Sequence, residues 1–332
     1  MSVPFSILDV VGVPEGTPDA VALRRLVELA RLGDELGFAR LWYAEHHSFP
    51  TIASSSPELL IAHAAAHTQR IRLGSGGVML PNHAPLRIAE QYKTLEALHP
   101  GRIDLGIGRA GGTDPRTLRA LYAFAPERFP EQVHDLRGFG GAGFPEDHPF
   151  ASVRAVPEDV ALPPIWILGS SGASAGYAGS LGLGYGFAAH FATASPVPAL
   201  QAYRRSFKPS AAFPAPHAIV CVGVICAETD EEADWLAKSS DLMWVRMHRM
   251  IHEKFPSPET AAAFPYTDAD RAIIAEHRRH QAIGSPETVR RKLQQLLDDC
   301  GADEIMLSSN IHDQAARLRS HRLVKEHVQL LV

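Results

Sequence analysis

Short apolar runs alternate along this chain with longer stretches whose apolar residues fall at helical spacing. Residues 5–11, 40–45, 71–81, 102–107, 164–168, 184–189, 217–226 and 303–308 are runs of strand length. Helical patterns lie between them. Thr17-Pro18-Asp19 opens the first, with Thr17 as the expected N-cap, proline at the first position and an acid in the first turn. Leu23, Leu26, Val27 and Ala30 then make one buried stripe, and Gly37 ends the helix. Ser56-Pro57-Glu58 and Ser285-Pro286-Glu287 start further helices in the same way, and Leu86, Ala89, Leu95 and Leu98 mark another stripe. Eight strands, each followed by a helical segment, predict an α/β protein folded as a (β/α)8 TIM barrel, with residues 1–332 in a single domain. Two stretches fall outside this alternation. Residues 138–160 are rich in glycine and proline, and residues 253–284 hold Pro256, Pro258 and Pro265 without a clean period. Both are predicted as insertions, the second as a lid over the barrel mouth.

Composition narrows the class. The 332 residues are 45% hydrophobic and 21% charged, with a net charge of −5. This is globular composition without a basic face for nucleic acid or a polybasic membrane patch. No apolar run spans a bilayer, and the start lacks the marks of a signal peptide, so a cytoplasmic protein is expected. Cys221, Cys226 and Cys300 are odd in number and form no C-x-x-C pair, which argues against a disulfide framework or zinc site. His63 and His67 stand four apart on a helix, but no acid lies between them as in H-E-x-x-H, and no metal site is assigned.

Candidate chemistry gathers at three strand ends. The second strand runs into Glu45-His46-His47, a carboxylate and two imidazoles where α/β barrels keep their active sites. Alternation puts Trp42, Ala44 and His46 on one side and Tyr43, Glu45 and His47 on the other, so only one of the two histidines points toward the barrel axis. The third strand carries Gly74, Gly76 and Gly77, a sign of close backbone approach. Gly106, Gly108 and Gly111 match G-x-G-x-x-G, with Glu131 downstream as the acid of a dinucleotide fingerprint. That fingerprint normally opens the first βα unit, whereas three precede it here and Arg109 lies within the loop. A phosphate site is the better reading. Arg109 supplies a permanent charge, and residues 169–174 supply Gly169, the hydroxyls of Ser170, Ser171 and Ser174, and a helix N-terminus.

Taken in order, these motifs cover nearly the whole chain and resemble the bacterial luciferase-like flavin monooxygenases. The likeness rests on residues 42–47 (W-Y-A-E-H-H), residues 71–81 (I-R-L-G-S-G-G-V-M-L-P), Glu90-Gln91, Gly101-Arg102-Ile103 with residues 105–109, and residues 167–174. The resemblance implies FMN at the carboxyl face of the barrel, with reduced FMN as cosubstrate. His46 matches the active-site histidine near the reactive flavin carbon. Arg109, Ser170, Ser171 and Ser174 match the phosphate-binding positions, and Gly76-Gly77 match a pair joined by a non-prolyl cis peptide against the ring. Gly169 and Glu45 are placed with the cofactor-binding residues and His47 at the substrate pocket. The light-emitting luciferases carry cysteine at the position of Gly108, which sets this chain in the single-component branch rather than among true luciferases. The activity expected is oxygenation of a small organic substrate with O2 through a flavin C4a-hydroperoxide, by a homodimer fed by a separate flavin reductase. Two other readings fit the same residues: an F420-dependent oxidoreductase on this barrel, and a flavin-binding protein without turnover.

Overall fold

The computed structural model describes residues 2–331 apart from 123 and 193. Its strands are β1 (Phe5–Asp9), β2 (Arg40–Tyr43), β3 (Arg72–Ser75), β4 (Val78–Met79), β5 (Ile103–Gly108), β6 (Ile165–Gly169), β7 (Gly184–Ala188), β8 (Ala218–Cys226), β9 (Gln281–Gly284) and β10 (Glu304–Ser308). Parallel pairing runs β10-β1-β2-β3-β5-β6-β7-β8, and β8 pairs back onto β10 through Met306↔Cys221, closing an eight-stranded barrel. After Gly76 and Gly77, the short β4 resumes the path of β3 along β5. Helices surround the barrel, so its strands are covered on both faces and read as nearly continuous apolar runs.

Alternation divides the buried residues into two layers. Leu41, Tyr43, Leu73, Leu105, Ile167, Val220 and Leu307 pack outward beneath the helices. Leu8, Trp42, Ala44, Trp166, Ile219, Cys221 and Met306 fill the barrel itself. The two tryptophans meet edge to face at 5.5 Å. They fit because glycines stand opposite. A Cβ on Gly74 would lie 2.8 Å from Trp42 Cδ1, and one on Gly184 would lie 2.3 Å from Trp166 Cε3. Below this layer, Arg40 closes the amino end of the barrel. It bonds Asp104 and Glu304, each at 2.8 Å, and its guanidinium lies 4.7 Å from the centre of the Trp166 ring.

Two local expectations change. The first helix begins at Asp19, with extended Pro18 rather than Thr17 at its N-cap, and ends on left-handed Gly37 (φ 72°) as expected. Residues 253–284 are more regular than their sequence suggests. They form helices Pro258–Ala263 and Asp268–Arg278 and then β9. Three short elements in succession present no common period. A capping box, in which Thr267 and Asp270 bond each other's backbone N–H, starts the second helix. Arg278 ties that helix to Asp241 at 2.6 Å, and Phe255 bridges to Val13 and Glu15 beside the end of β1. β9 lengthens the sheet by pairing with the outer half of β8, from Gly223↔Gln281 to Cys226↔Gly284. No helix among the described residues is long and apolar enough to cross a membrane.

Candidate active site

The carboxyl ends of β1, β2, β7 and β10 surround a cavity of about 420 Å³. His46 reaches it by continuing the inward parity of Trp42 and Ala44. Its backbone N–H donates to Ser54 O at 2.9 Å, and its Nδ1 lies 3.2 Å from Gly112 O. A proton on Nδ1 makes that contact a hydrogen bond and leaves the Nε2 lone pair open. Burial of the ring lowers its pKa, so the neutral imidazole prevails near pH 7.

Glu45, expected beside the cofactor, takes the opposite parity and is bonded within the chain. Its side chain is 1% exposed and both oxygens are engaged. Oε1 accepts from Nε2 of His47 and of His83, each at 2.9 Å, and Oε2 accepts from the Met79 N–H at 2.9 Å. Burial alone would raise its pKa, but the bonds from His47 and His83 outweigh burial and hold it at about 2. The carboxylate is a clamp that fastens the loop after β2 to the loop after β3. His47, expected at the substrate pocket, shares this clamp. Its ring turns to Glu45, away from the barrel axis, and it does not line the cavity.

The peptide between Gly76 and Gly77 is cis. Side chains are excluded there. A Cβ on Gly76 would meet Leu8 Cδ1 at 2.6 Å, and one on Gly77 would meet Gly106 O at 2.8 Å. Gly106 and Gly111, which match G-x-G-x-x-G in the sequence, have packing reasons of the same kind. A Cβ on Gly106 would lie 2.1 Å from Ser75 O, and one on Gly111 would lie 2.5 Å from Leu118 Cδ2.

Arg109 and the 169–174 loop come from neighbouring strands. Ile107 pairs with Ile167, so Arg109 and Gly169 leave adjacent strand ends on the side of the mouth opposite β1 and β10. Arg109 is exposed. Ser171 is the N-cap of helix Gly172–Ser180, and its hydroxyl makes no capping bond. Ser174 Oγ and the Tyr185 hydroxyl both donate to Ser171 O, at 3.0 and 3.2 Å. Gly169 has no side chain because Ser174 Oγ occupies the place of its Cβ, only 2.0 Å away. Ser170 is half-buried between them.

The luciferase-like monooxygenase family model matches residues 3–304. The chain belongs to this family. A protein of Escherichia coli K12 named luciferase-like monooxygenase is 40% identical over 328 residues, 98% of this chain and 97% of its own. The crystal structure of apo-MsnO8 superposes with a TM-score of 0.90 at 37% identity, covering 98% of each chain. The oxygenating constituent of 3,6-diketocamphane monooxygenase from Pseudomonas putida, a type II Baeyer-Villiger enzyme solved with FMN, shares the fold. Its TM-score is 0.73 at 21% identity, covering 100% of this chain and 99% of its own.

This luciferase-like barrel also gathers residues that the sequence reading missed. His190 follows β7 directly and lines the same cavity as His46. Burial, with the neighbouring His46 adding to it, takes its pKa down to about 4, and its Nδ1 is buried without a hydrogen-bond partner. The cue that marked His46, an imidazole directly after a barrel strand, was present here as well. Arg25, Phe49, Trp244, Phe255 and His312 also line the cavity, from two helices and from loops, with no local motif to single them out. Among the described residues no group of three or more histidine, cysteine or acidic side chains could hold a metal ion.

Proposed function

We propose that this protein is a flavin-dependent monooxygenase that takes reduced FMN and O2 and oxygenates a small organic substrate. The observation that carries this reading is the division of the barrel mouth. Phosphate-type donors lie on the β5–β6 side, and a neutral imidazole lines a largely apolar cavity on the other side.

The residues on the β5–β6 side suit the phosphate of FMN. Arg109 makes no ion pair or hydrogen bond with any described residue, and the N-terminus of helix Gly172–Ser180 keeps its first N–H groups uncapped. Ser170, Ser171 and Ser174 would add hydroxyl donors. The Gly76–Gly77 backbone would lie against the flavin ring, where no side chain fits. Reduced FMN, when bound, supplies the electrons that activate O2. The chain's own part is to bind, to exclude water and to move a proton. Phe49, Trp244 and Phe255 wall the cavity with apolar surface. His46, neutral because its ring is buried, would take a proton at Nε2 and return it, while Gly112 holds the ring in place through Nδ1. The homologous FMN-bound diketocamphane enzyme supports the cofactor. The protein is expected to act as a homodimer in the cytoplasm, with a separate reductase supplying reduced flavin.

Absorbance titration with FMN and with F420, followed by oxygen uptake across small organic substrates, tests the proposal. The expected result is FMN binding with oxygen uptake matched by an oxygenated product. Binding of F420 alone, with hydride transfer and no oxygen uptake, would overturn it.

A further inference from the structure

The charges lining the cavity do not balance. Its charged side chains are Asp9, Arg25 and Arg317, and its imidazoles are those of His46, His190 and His312. Arg317 Nη2 lies 2.7 Å from Asp9 Oδ1, so these two charges offset each other. Arg25, on helix Asp19–Leu36, makes no ion pair or hydrogen bond with any described residue. Glu28, one turn further along the helix, accepts instead from Gln314 Nε2 at 3.1 Å. The lining therefore carries one unmatched positive charge.

A second observation points the same way. His312 Nε2 is buried and has no hydrogen-bond partner. A buried polar atom left unpaired costs free energy, and at a cavity wall it is the kind of group a ligand satisfies. Most of the remaining wall is apolar, with Phe49, Phe191, Met243, Trp244, Met247 and Phe255 facing the space. A cation and an unpaired imidazole nitrogen at the edge of an apolar chamber suit a molecule with a greasy body and one anionic end. A neutral molecule would leave the Arg25 charge unmatched, and a dianion would bring a second charge into an apolar wall.

We infer that the substrate is an apolar organic anion with a single carboxylate, which Arg25 binds as an ion pair and His312 holds through an Nε2–H donor. The apolar body then extends along the Trp244–Phe255 wall toward His46. The inference rests on the monooxygenase reading for the role of the cavity, but its test does not depend on turnover.

Octanoate and 1-octanol share one chain and differ in charge. Calorimetric titration of the whole protein at pH 8, with and without oxidised FMN, should show octanoate binding roughly tenfold or more tighter than octanol. Arg25→Met keeps the length and apolar stem of the side chain and should abolish that preference. Arg25→Lys should retain most of it, and thermal unfolding of both variants should match the wild type. FMN affinity, followed by flavin fluorescence, should be the same in all three proteins. Equal binding of octanoate and octanol by the wild type, or a preference that survives in Arg25→Met, would overturn the inference. So would a loss of FMN affinity in Arg25→Met, because Arg25 would then belong to the cofactor. A wild-type protein that prefers octanoate through Arg25 but does not bind FMN would uphold the anion site and overturn the cofactor reading alone.

Discussion

The two ends of the barrel differ in how they pair their buried carboxylates and imidazoles, although Trp166 Nε1 beside Arg40 is also without a partner. At the amino end every carboxylate oxygen of Asp104 and Glu304 has a partner. Arg40 bonds both residues, Arg72 and the Trp42 indole N–H bond Asp104, and Ser6 and His217 bond Glu304. Burial alone would raise the Glu304 pKa, but Arg40 first and then His217 hold it at about 2. At the carboxyl end, His190 Nδ1, His312 Nε2 and Asp9 Oδ2 are buried with no partner among the described residues. An unpaired buried group costs about 1–3 kcal/mol, so groups of this kind around one cavity are ones a ligand would satisfy. The amino end ties its carboxylates into the fold, and the carboxyl end is the one we propose binds cofactor and substrate. Variants at the two ends should therefore separate stability from binding.

The largest effect is expected at the mouth. His46→Ala should lower turnover by about 10²–10⁴-fold, the usual worth of a positioned acid or base, while thermal unfolding and FMN affinity stay near wild type. A variant whose turnover loss tracks a loss of folded protein would show that His46 is structural. Next comes the opposite end. Arg40→Met leaves Asp104 and Glu304 buried without their cation and should cost about 3–5 kcal/mol in urea unfolding, with FMN affinity per folded molecule unchanged. A change below about 1 kcal/mol, the ordinary worth of a surface ion pair, would erase the contrast between the ends. Smaller again is Arg109→Ala, which should weaken FMN binding by about 10- to 100-fold, the loss of a charge-assisted bond, without altering stability. An unchanged FMN dissociation constant would remove Arg109 from the phosphate site.

How much of this was legible in the sequence follows from which contacts are local. The eight barrel strands could be read because each is buried on both faces, so the apolar run itself is the signal. Parity along β2 separated Trp42, Ala44 and His46 from Tyr43, Glu45 and His47, and the two buried layers keep that separation. The cis peptide at Gly76–Gly77 was reached through family resemblance together with the glycine cluster. β9 could not be read, since Gln281–Gly284 is short and its strand character comes from pairing with the end of β8. The clamp around Glu45 was not legible because two of its three partners stand far along the chain: His83 is 38 residues away and the Met79 N–H is 34. Arg25 and His312 come to line one cavity only through barrel closure, and neither sits in a motif. Charges that pair, or fail to pair, across a closed barrel are tertiary facts, and an account from local pattern alone passes over them.

The smallest effect is expected at His47, and it tests the parity argument directly. His47→Ala removes one of three donors to Glu45, leaving His83 and the Met79 N–H in place. Turnover should fall less than tenfold, because His47 lies outside the cavity and acts only by steadying the loop that carries His46. The stability cost should be about 1–2 kcal/mol near neutral pH, the worth of one hydrogen bond to a buried charge. Its pH dependence has a definite sign. Glu45 has a folded pKa of about 2, below its ordinary 4.5, so its bonds contribute full stability above pH 4.5 and lose it as pH falls toward 2. The gap in stability between wild type and His47→Ala should therefore be widest at neutral pH and close progressively on acidification through that window, as measured by urea unfolding at pH 7, 5 and 3. A gap that widens in acid would mean that His47 supports something other than the ionised Glu45. A turnover loss exceeding that of His46→Ala would exchange the roles of the two histidines.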